Sequence, residues 1–221
     1  MRIPYDAPTS LVGEFIELSA DVTAAILVTL NQGWECAITG GEVYKTSGEV
    51  ALTERLRDGM RQALKSSPWN QMFVVLAGME SRSSKAVLIP DGRTDIPILM
   101  IEIFLRHGVH DPHAIIECKR IAGSDAHLCR EYVVEGIDRF RTGKYGADHA
   151  VGFMVGYLIA GTAGESAAGV NAHLTRTGRE KEHLLSLEFA TRAFCWASEH
   201  SRANGIGIIK LRHVFLRCEA A

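Results

Sequence analysis

Glu117 and Lys119 stand two positions apart in HAIIECKRI, residues 113–121. In an extended strand alternate side chains share a face, so Ile115, Glu117 and Lys119 point one way and Ile116 and Cys118 the other. Burying either charge alone is expensive, and a buried pair often fails to recover its desolvation cost. A carboxylate and an ammonium on one face of an otherwise apolar strand therefore sit at a solvated rim or are committed to chemistry. Asp95 lies twenty-two positions before Glu117, in PDGRTDIPI, where a turn enters a strand. Aspartate is a poor strand-interior residue, so Asp95 is a turn former or a ligand. Further upstream, Glu54 falls in a stretch of helical spacing.

Groups so far apart in the chain need several elements to bring them together. The spacing predicts a helix over 9–31, then a glycine-punctuated connection. A second helix is expected over 49–65, with Leu52, Leu56, Met60 and Leu64 on one stripe and SSPWN to stop it. Three strand-like runs follow at 72–80, 94–104 and 114–121, with a turn at Pro90-Asp91-Gly92 between the first two. Ser124 is an N-cap candidate for a helix that ends in glycine at 146. Residues 150–161 read as a buried strand and 162–178 as a helix with a glycine-interrupted middle. In the tail, LLSLEFA, FCWASEHSR and GIGIIKLRHVFLRC read as strands. The chain is mixed α/β, not a repeated βαβ array, and no linker or repeat divides it.

The bulk properties narrow the partners. Among 221 residues the formal net charge is -2, which argues against a basic protein that coats nucleic acid but allows a local basic groove. Residues 1–115 hold 10 basic against 14 acidic side chains and residues 116–221 hold 14 against 12, so an anion-binding surface is expected in the second half. Five scattered cysteines without a C-x-x-C pair point to a reducing cytoplasm rather than a disulfide framework. The N-terminus lacks a signal-peptide layout and no apolar run reaches spanning length, so a cytoplasmic protein without membrane partners is expected.

An acid in a helix, then PDGRTD, then an apolar strand ending ECK resembles the PD-(D/E)XK nuclease superfamily, in particular its bacterial defence-associated members. The resemblance implies a restriction endonuclease-like αβββαβ core over about 49–161, inside a single domain of residues 1–221. An N-terminal helical extension (1–48) and a C-terminal extension (162–221) flank it. Asp95, Glu117 and Lys119 fall on the signature positions, and Glu54 matches the helix acid, with Glu49 and Glu80 as competitors. It implies Mg²⁺, or Mn²⁺ in its place, held by Asp95, Glu117 and the backbone carbonyl of Cys118. Lys119 would orient the attacking water and offset charge on the phosphate, with Glu54 in support. The expected activity is hydrolysis of DNA phosphodiester bonds in anti-phage defence or restriction, with a partner subunit that selects the target. Cutting both strands at once favours a homodimer or larger assembly. The alternatives are a catalytically silent structural or nucleic-acid-sensing subunit, and a nuclease that acts on RNA.

Ser198, His200 and Arg202 alternate in SEHSR and so share a strand face. They suit a DNA contact, Arg202 taking a phosphate bidentately, or a solvated edge strand. His213 reads as a hydrogen-bonded core or rim histidine. Arg139, Arg141 and Lys144 complement a helix dipole more readily than they face DNA, and Tyr132 and Tyr145 read as packing residues. RHGVHDPH spaces His107, His110 and His113 three apart, but Gly108 and Pro112 break the helix a zinc site would need, so a polar loop is expected.

Overall fold

The computed structural model describes residues 9–12, 15–41, 43–81, 92–187, 195–203, 205 and 207–219. Its first element departs from the expected helix. Within 9–31 the chain begins as an antiparallel hairpin of β1 (Thr9–Val12) and β2 (Phe15–Leu18), and only then enters α1 (Ala20–Thr39). Period-two alternation explains the change: Ile16 and Leu18 are buried while Glu17 is exposed. Ile16 is also tied to the chain at 148–150 by two backbone hydrogen bonds of 2.7 and 3.0 Å. Ser19 then caps α1, its Oγ accepting from the Val22 N–H at 3.2 Å.

The second helix, α2 (Glu49–Lys65), forms where its apolar stripe predicts, with Leu52, Leu56, Met60 and Leu64 buried. The strand expected over 72–80 is shorter and split into β3 (Phe73–Val75) and β4 (Glu80–Ser81), the latter paired with β5 (Gly92–Arg93). Pro90 and Asp91 of the expected turn lie outside the described residues. The apolar run 94–104 is also divided: β6 (Ile96–Met100) passes directly into α3 (Ile101–His107). A continuous apolar run does not by itself separate strand from helix. Here Glu102 and Arg106 pair at i,i+4, 2.8 Å apart, and Gly108 closes the helix at φ 64°.

β7 (Ala114–Ala122) follows, and then one continuous helical segment of three parts. These are α4 (Ala126–Tyr132), a π-helical turn (Val133–Ile137) and α5 (Asp138–Arg141). The cap is Asp125 rather than Ser124, its carboxylate accepting from the His127 and Leu128 N–H groups at 2.9 and 3.0 Å. β8 (Val151–Ala160), α6 (Ala163–Arg176), a 3₁₀ turn at Glu180–Glu182, β9 (Leu185–Leu187), β10 (Cys195–Ser201) and β11 (Ile208–Arg217) complete the chain.

Seven strands form one open mixed sheet in the order β3-β6-β7-β8-β11-β10-β9. β7, β8 and β11 are parallel, and the two pairs on each side of them are antiparallel. Buried side chains of α1 and α2 pack on one face with Phe73, Ile98, Ile116, Phe153 and Val214. The opposite face carries Ile115, Ile121, Met154, Leu158 and Leu211 under α4–α6. This is an α/β architecture with a mixed sheet flanked by helices. Among the described residues, no helix is long and apolar enough to cross a membrane.

Candidate active site

Strand alternation turns Ile115, Glu117, Lys119 and Ile121 toward the α4–α5 face, and burial there is severe. Glu117 has 0% of its surface exposed and Lys119 8%. Asp95 arrives from the neighbouring strand. The β6–β7 register pairs Ile96 with Ile116, so one step further places Asp95 beside Glu117. The Asp95 Oδ2 accepts from the Cys118 N–H at 2.8 Å, which fixes its carboxylate against β7. Two groups twenty-two positions apart thus become neighbours through antiparallel pairing.

The Glu117 carboxylate is used unevenly. Its Oε1 accepts from Lys119 Nζ at 2.9 Å and from Arg139 Nη1 at 2.8 Å. Its Oε2 is buried and has no hydrogen-bond donor. Buried acceptors are almost always satisfied, so this oxygen calls for a proton shared with the Asp95 carboxyl, to which Glu117 is hydrogen-bonded, or for a cation in its place. The ammonium of Lys119 is fully engaged: besides Glu117 it donates to Glu49 Oε1 and to the Cys118 carbonyl, each at 2.9 Å.

Electrostatics follow from this crowding. Burial, then the Asp95 charge, push Glu117 up to about 8, against the pull of Lys119 and Arg139. Burial also raises Asp95, partly offset by Lys119 and by the Cys118 N–H. Desolvation works against the charge on Lys119, but Glu117, Glu49 and Asp95 outweigh it and raise its pKa, so Lys119 stays protonated. Asp95 raises Glu117, while a hydrogen bond from Glu117 steadies the Asp95 carboxylate, so the pair shares one proton unless a cation replaces it.

The helix acid differs from the expected one. Glu54 is 48% exposed and pairs with Arg57 on its own helix. Glu49, the first residue of α2, is the one that reaches the site, its Oε1 on Lys119 and its Oε2 accepting from the Arg120 N–H at 3.1 Å. Glu49→Gln is therefore expected to weaken any reaction that needs Lys119 by about 10-fold or more, while Glu54→Gln leaves it unchanged. Steady-state rates of the two variants side by side check this.

Arg139, expected to complement a helix dipole, is part of the cluster, donating to Glu117 at 2.8 Å and to the Tyr145 hydroxyl at 2.9 Å. One signal could have found it: a carboxylate buried mid-strand needs more positive charge than a single lysine supplies.

The trio expected to touch DNA is turned inward instead. Ser198, His200 and Arg202 do share a face, but all three are buried and hydrogen-bonded within the protein. Arg202 donates to the carbonyls of Phe140, Gly146 and His149 at 3.0, 2.7 and 2.5 Å, so it clamps the loop after α5 and is not free to take a phosphate. Ser198 Oγ sits between His200 Nε2 (2.6 Å) and His213 Nε2 (2.7 Å). His213 Nδ1 meets the Tyr132 hydroxyl at 3.0 Å and His200 Nδ1 meets Glu182 Oε2 at 2.5 Å. One direction satisfies the whole chain: Tyr132 donates to His213, His213 to Ser198, Ser198 to His200, and His200 to Glu182. Burial, above all, holds His213 well below the usual histidine range, and the Glu182 carboxyl, despite its own burial, is pulled down to about 2 by His200 and Arg179. Arg202→Met should cost about 3 kcal/mol or more of stability, because three buried carbonyls lose their donor. It should leave the salt dependence of any DNA binding unchanged, and chemical denaturation with anisotropy titrations measures both.

The histidines of RHGVHDPH do not converge on a metal. His113 is buried, its Nδ1 accepting from the Met100 N–H at 2.9 Å and its Nε2 donating to the Val109 carbonyl at 3.2 Å. Among the described residues no group of three or more histidine, cysteine or acidic side chains is placed to hold a metal ion. The Asp95–Glu117 set is smaller: two carboxylates and the Cys118 carbonyl. That donor set suits Mg²⁺, which uses one or two carboxylates and completes its shell with water and substrate oxygens. The orphan Glu117 Oε2 beside Asp95 is where the fit is best.

Comparison of the chain with family models, with curated proteins and with solved structures finds no match.

Proposed function

We propose that the protein is a Mg²⁺-dependent nuclease that hydrolyses DNA phosphodiester bonds, with Asp95 and Glu117 as the metal-holding carboxylates. The observation that carries this reading is Glu117 Oε2, a fully buried carboxylate oxygen without an N–H donor, one strand away from a second, half-buried carboxylate. The topology lends support. From α2 through β3, β6 and β7 to the α4–α5 helix and β8, the order and pairing suit a restriction endonuclease-like αβββαβ core.

When bound, Mg²⁺ supplies Lewis acidity toward the phosphate and toward a water nucleophile. The rest falls to the chain. Asp95, anchored by the Cys118 N–H, and Glu117, gripped on one oxygen, present the donors, and the Cys118 carbonyl is the third. The Lys119 ammonium acts on both carboxylates of the cluster. Giving up one of its three acceptors turns an N–H toward the water and the charge building on the phosphate. Glu49, and not the expected Glu54, is the helix acid that supports the site, holding Lys119 from its more exposed side. Ser198, His200 and Arg202 act in this reading as interior supports, not as DNA contacts.

With a net charge of -2 the chain carries little surplus for solitary DNA binding, so a partner subunit that selects the target fits, as does pairing of two copies to cut both strands. The resemblance in the sequence supports a role in bacterial anti-phage defence, in the cytoplasm. Incubating the protein with plasmid, single-stranded DNA and RNA, in Mg²⁺ or EDTA, tests the proposal. Mg²⁺-dependent cutting of DNA that is lost in Asp95→Ala and Lys119→Ala is expected. Cutting that survives both substitutions contradicts the site; exclusive cutting of RNA contradicts the substrate. No cutting of any substrate, with neighbouring gene products supplied, favours a silent nucleic-acid-sensing subunit.

A further inference from the structure

Arg139 is held with more care than a helix-end arginine requires. Its Nη1 reaches both Glu117 Oε1 (2.8 Å) and the Tyr145 hydroxyl (2.9 Å), and its guanidinium carbon lies 5.4 Å from the centre of the Tyr145 ring. Its Nη2 meets Glu135 at 3.3 Å. Tyr145 is itself fully buried and returns to its partner through a backbone bond, its N–H donating to the Arg139 carbonyl at 3.0 Å. The Tyr145 hydroxyl then donates to the Arg93 carbonyl at 2.6 Å, two residues before Asp95. One short path, Glu117–Arg139–Tyr145–Arg93, therefore spans the two segments that carry the candidate metal-holding carboxylates.

The π-helical turn makes this possible. Its wider winding brings Gly136 over β7 and β8, so close that a Cβ there would lie 2.5 Å from Met154 Cε and 3.6 Å from Lys119 Cγ. The extra residue also shifts the face on which the following turn projects, which aims Arg139 at Glu117. The outcome is an asymmetric carboxylate. Lys119 and Arg139 both hold Oε1, Oε2 has no N–H donor, and the Asp95 carboxyl is the hydrogen-bonding neighbour of Glu117.

We propose that Arg139, with Tyr145 behind it, is a positioning residue that pins Glu117 Oε1 so that Oε2 is presented with Asp95 to a divalent cation. The inference rests on the metal-site reading above. It gives Arg139 no contact with substrate; its effect passes through Glu117. Outer-shell partners of metal-holding carboxylates typically govern affinity by about 10- to 100-fold.

The test is Mn²⁺ binding to the purified full-length protein, read by the loss of the free-ion electron paramagnetic resonance signal, beside the Mg²⁺ dependence of DNA cleavage. Arg139→Gln should raise the Mn²⁺ dissociation constant by about 10- to 100-fold and the half-saturating Mg²⁺ concentration with it, while kcat at saturating Mg²⁺ falls far less. Arg139→Lys should recover part of the affinity, since an ammonium can still reach Oε1. Tyr145→Phe, nearly isosteric, should weaken Mn²⁺ in the same direction and decides the matter where Arg139→Gln does not fold. Unchanged Mn²⁺ affinity in the folded variants overturns this inference and leaves the metal site standing, and so does a fall in kcat alone. Absence of Mn²⁺ binding in the wild-type protein overturns both.

Discussion

Glu117→Gln should abolish Mg²⁺-dependent cleavage and yet leave the metal-free protein more stable than wild type at pH 8 and above. The activity loss follows from removing a metal-holding carboxylate and is expected to be at least about 10²-fold, the scale of losing one preorganised charge interaction in a site. The gain in stability follows from linkage. The Glu117 carboxyl titrates near 4.5 in an ordinary setting and is pushed up to about 8 by burial and by Asp95. Between those values the unfolded chain has released its proton while the folded chain keeps it. Stability contributed by this group therefore declines as pH rises through the window, and the deficit is complete above about 8. A shift of that size sets a ceiling of about 4–5 kcal/mol. Glutamine does not ionise, so its stability profile should be flat there, and its amide can donate to Asp95 from the place of the orphan oxygen. Urea denaturation at pH 5, 7 and 9 in EDTA, beside a plasmid assay, reads both effects. A variant less stable than wild type at pH 9 would show that Lys119 and Arg139 already satisfy the carboxylate, and the case for a missing cation would lose its main support.

Lys119→Met should be damaging in both respects. Its ammonium lies between Glu49, Glu117 and the Cys118 carbonyl, and its stem packs beneath Gly136. Methionine fills much of the volume but removes the charge that offsets the buried Glu117 carboxyl and its half-buried neighbour Asp95. Breaking a buried pair in this way costs about 3–5 kcal/mol. For a chain of this size that corresponds to a fall in Tm of roughly 6–20 °C. Cleavage measured well below the lowered Tm should fall by about 10²- to 10³-fold. Lys119→Arg keeps the charge but not the compact ammonium that three acceptors surround, and it should not restore the rate. Full activity in Lys119→Met would remove this residue from the chemistry.

The parts of the site legible in the sequence are those governed by strand geometry. Alternation places Glu117 and Lys119 on one face, and an apolar strand around two charges signals that they are buried for a reason. Asp95 is recoverable because antiparallel pairing brings the entry of one strand beside the middle of the next. Helix α2 offers Glu49 and Glu54 at positions that periodicity alone does not rank; which one meets β7 depends on where the first turn of the helix abuts the sheet. Arg139 is hidden by the π-helical turn, since the added residue shifts its face away from a 3.6-residue repeat.

The face shared by Ser198, His200 and Arg202 was legible too, but its direction was not. The strand has apolar neighbours on one side and polar ones on the other in either reading. Only the docking of the 3₁₀ turn at Glu180–Glu182 and the loop after α5 shows that the polar side is interior. The N-terminal hairpin escaped for a similar reason. Residues 15–18 alternate over too short a span to outweigh the helical spacing that follows them, until Ile16 is seen bonded to the chain at 148–150.

The central claim is that Asp95 and Glu117 hold one divalent cation. Calorimetric titration of the metal-free protein with Mg²⁺ at pH 7, in two buffers of different ionisation enthalpy, tests it most directly. One Mg²⁺ per chain should bind with release of nearly one proton, the proton the carboxyl pair gives up, and Asp95→Asn should abolish the signal. No binding at millimolar Mg²⁺, or equal binding by wild type and Asp95→Asn, would contradict the account.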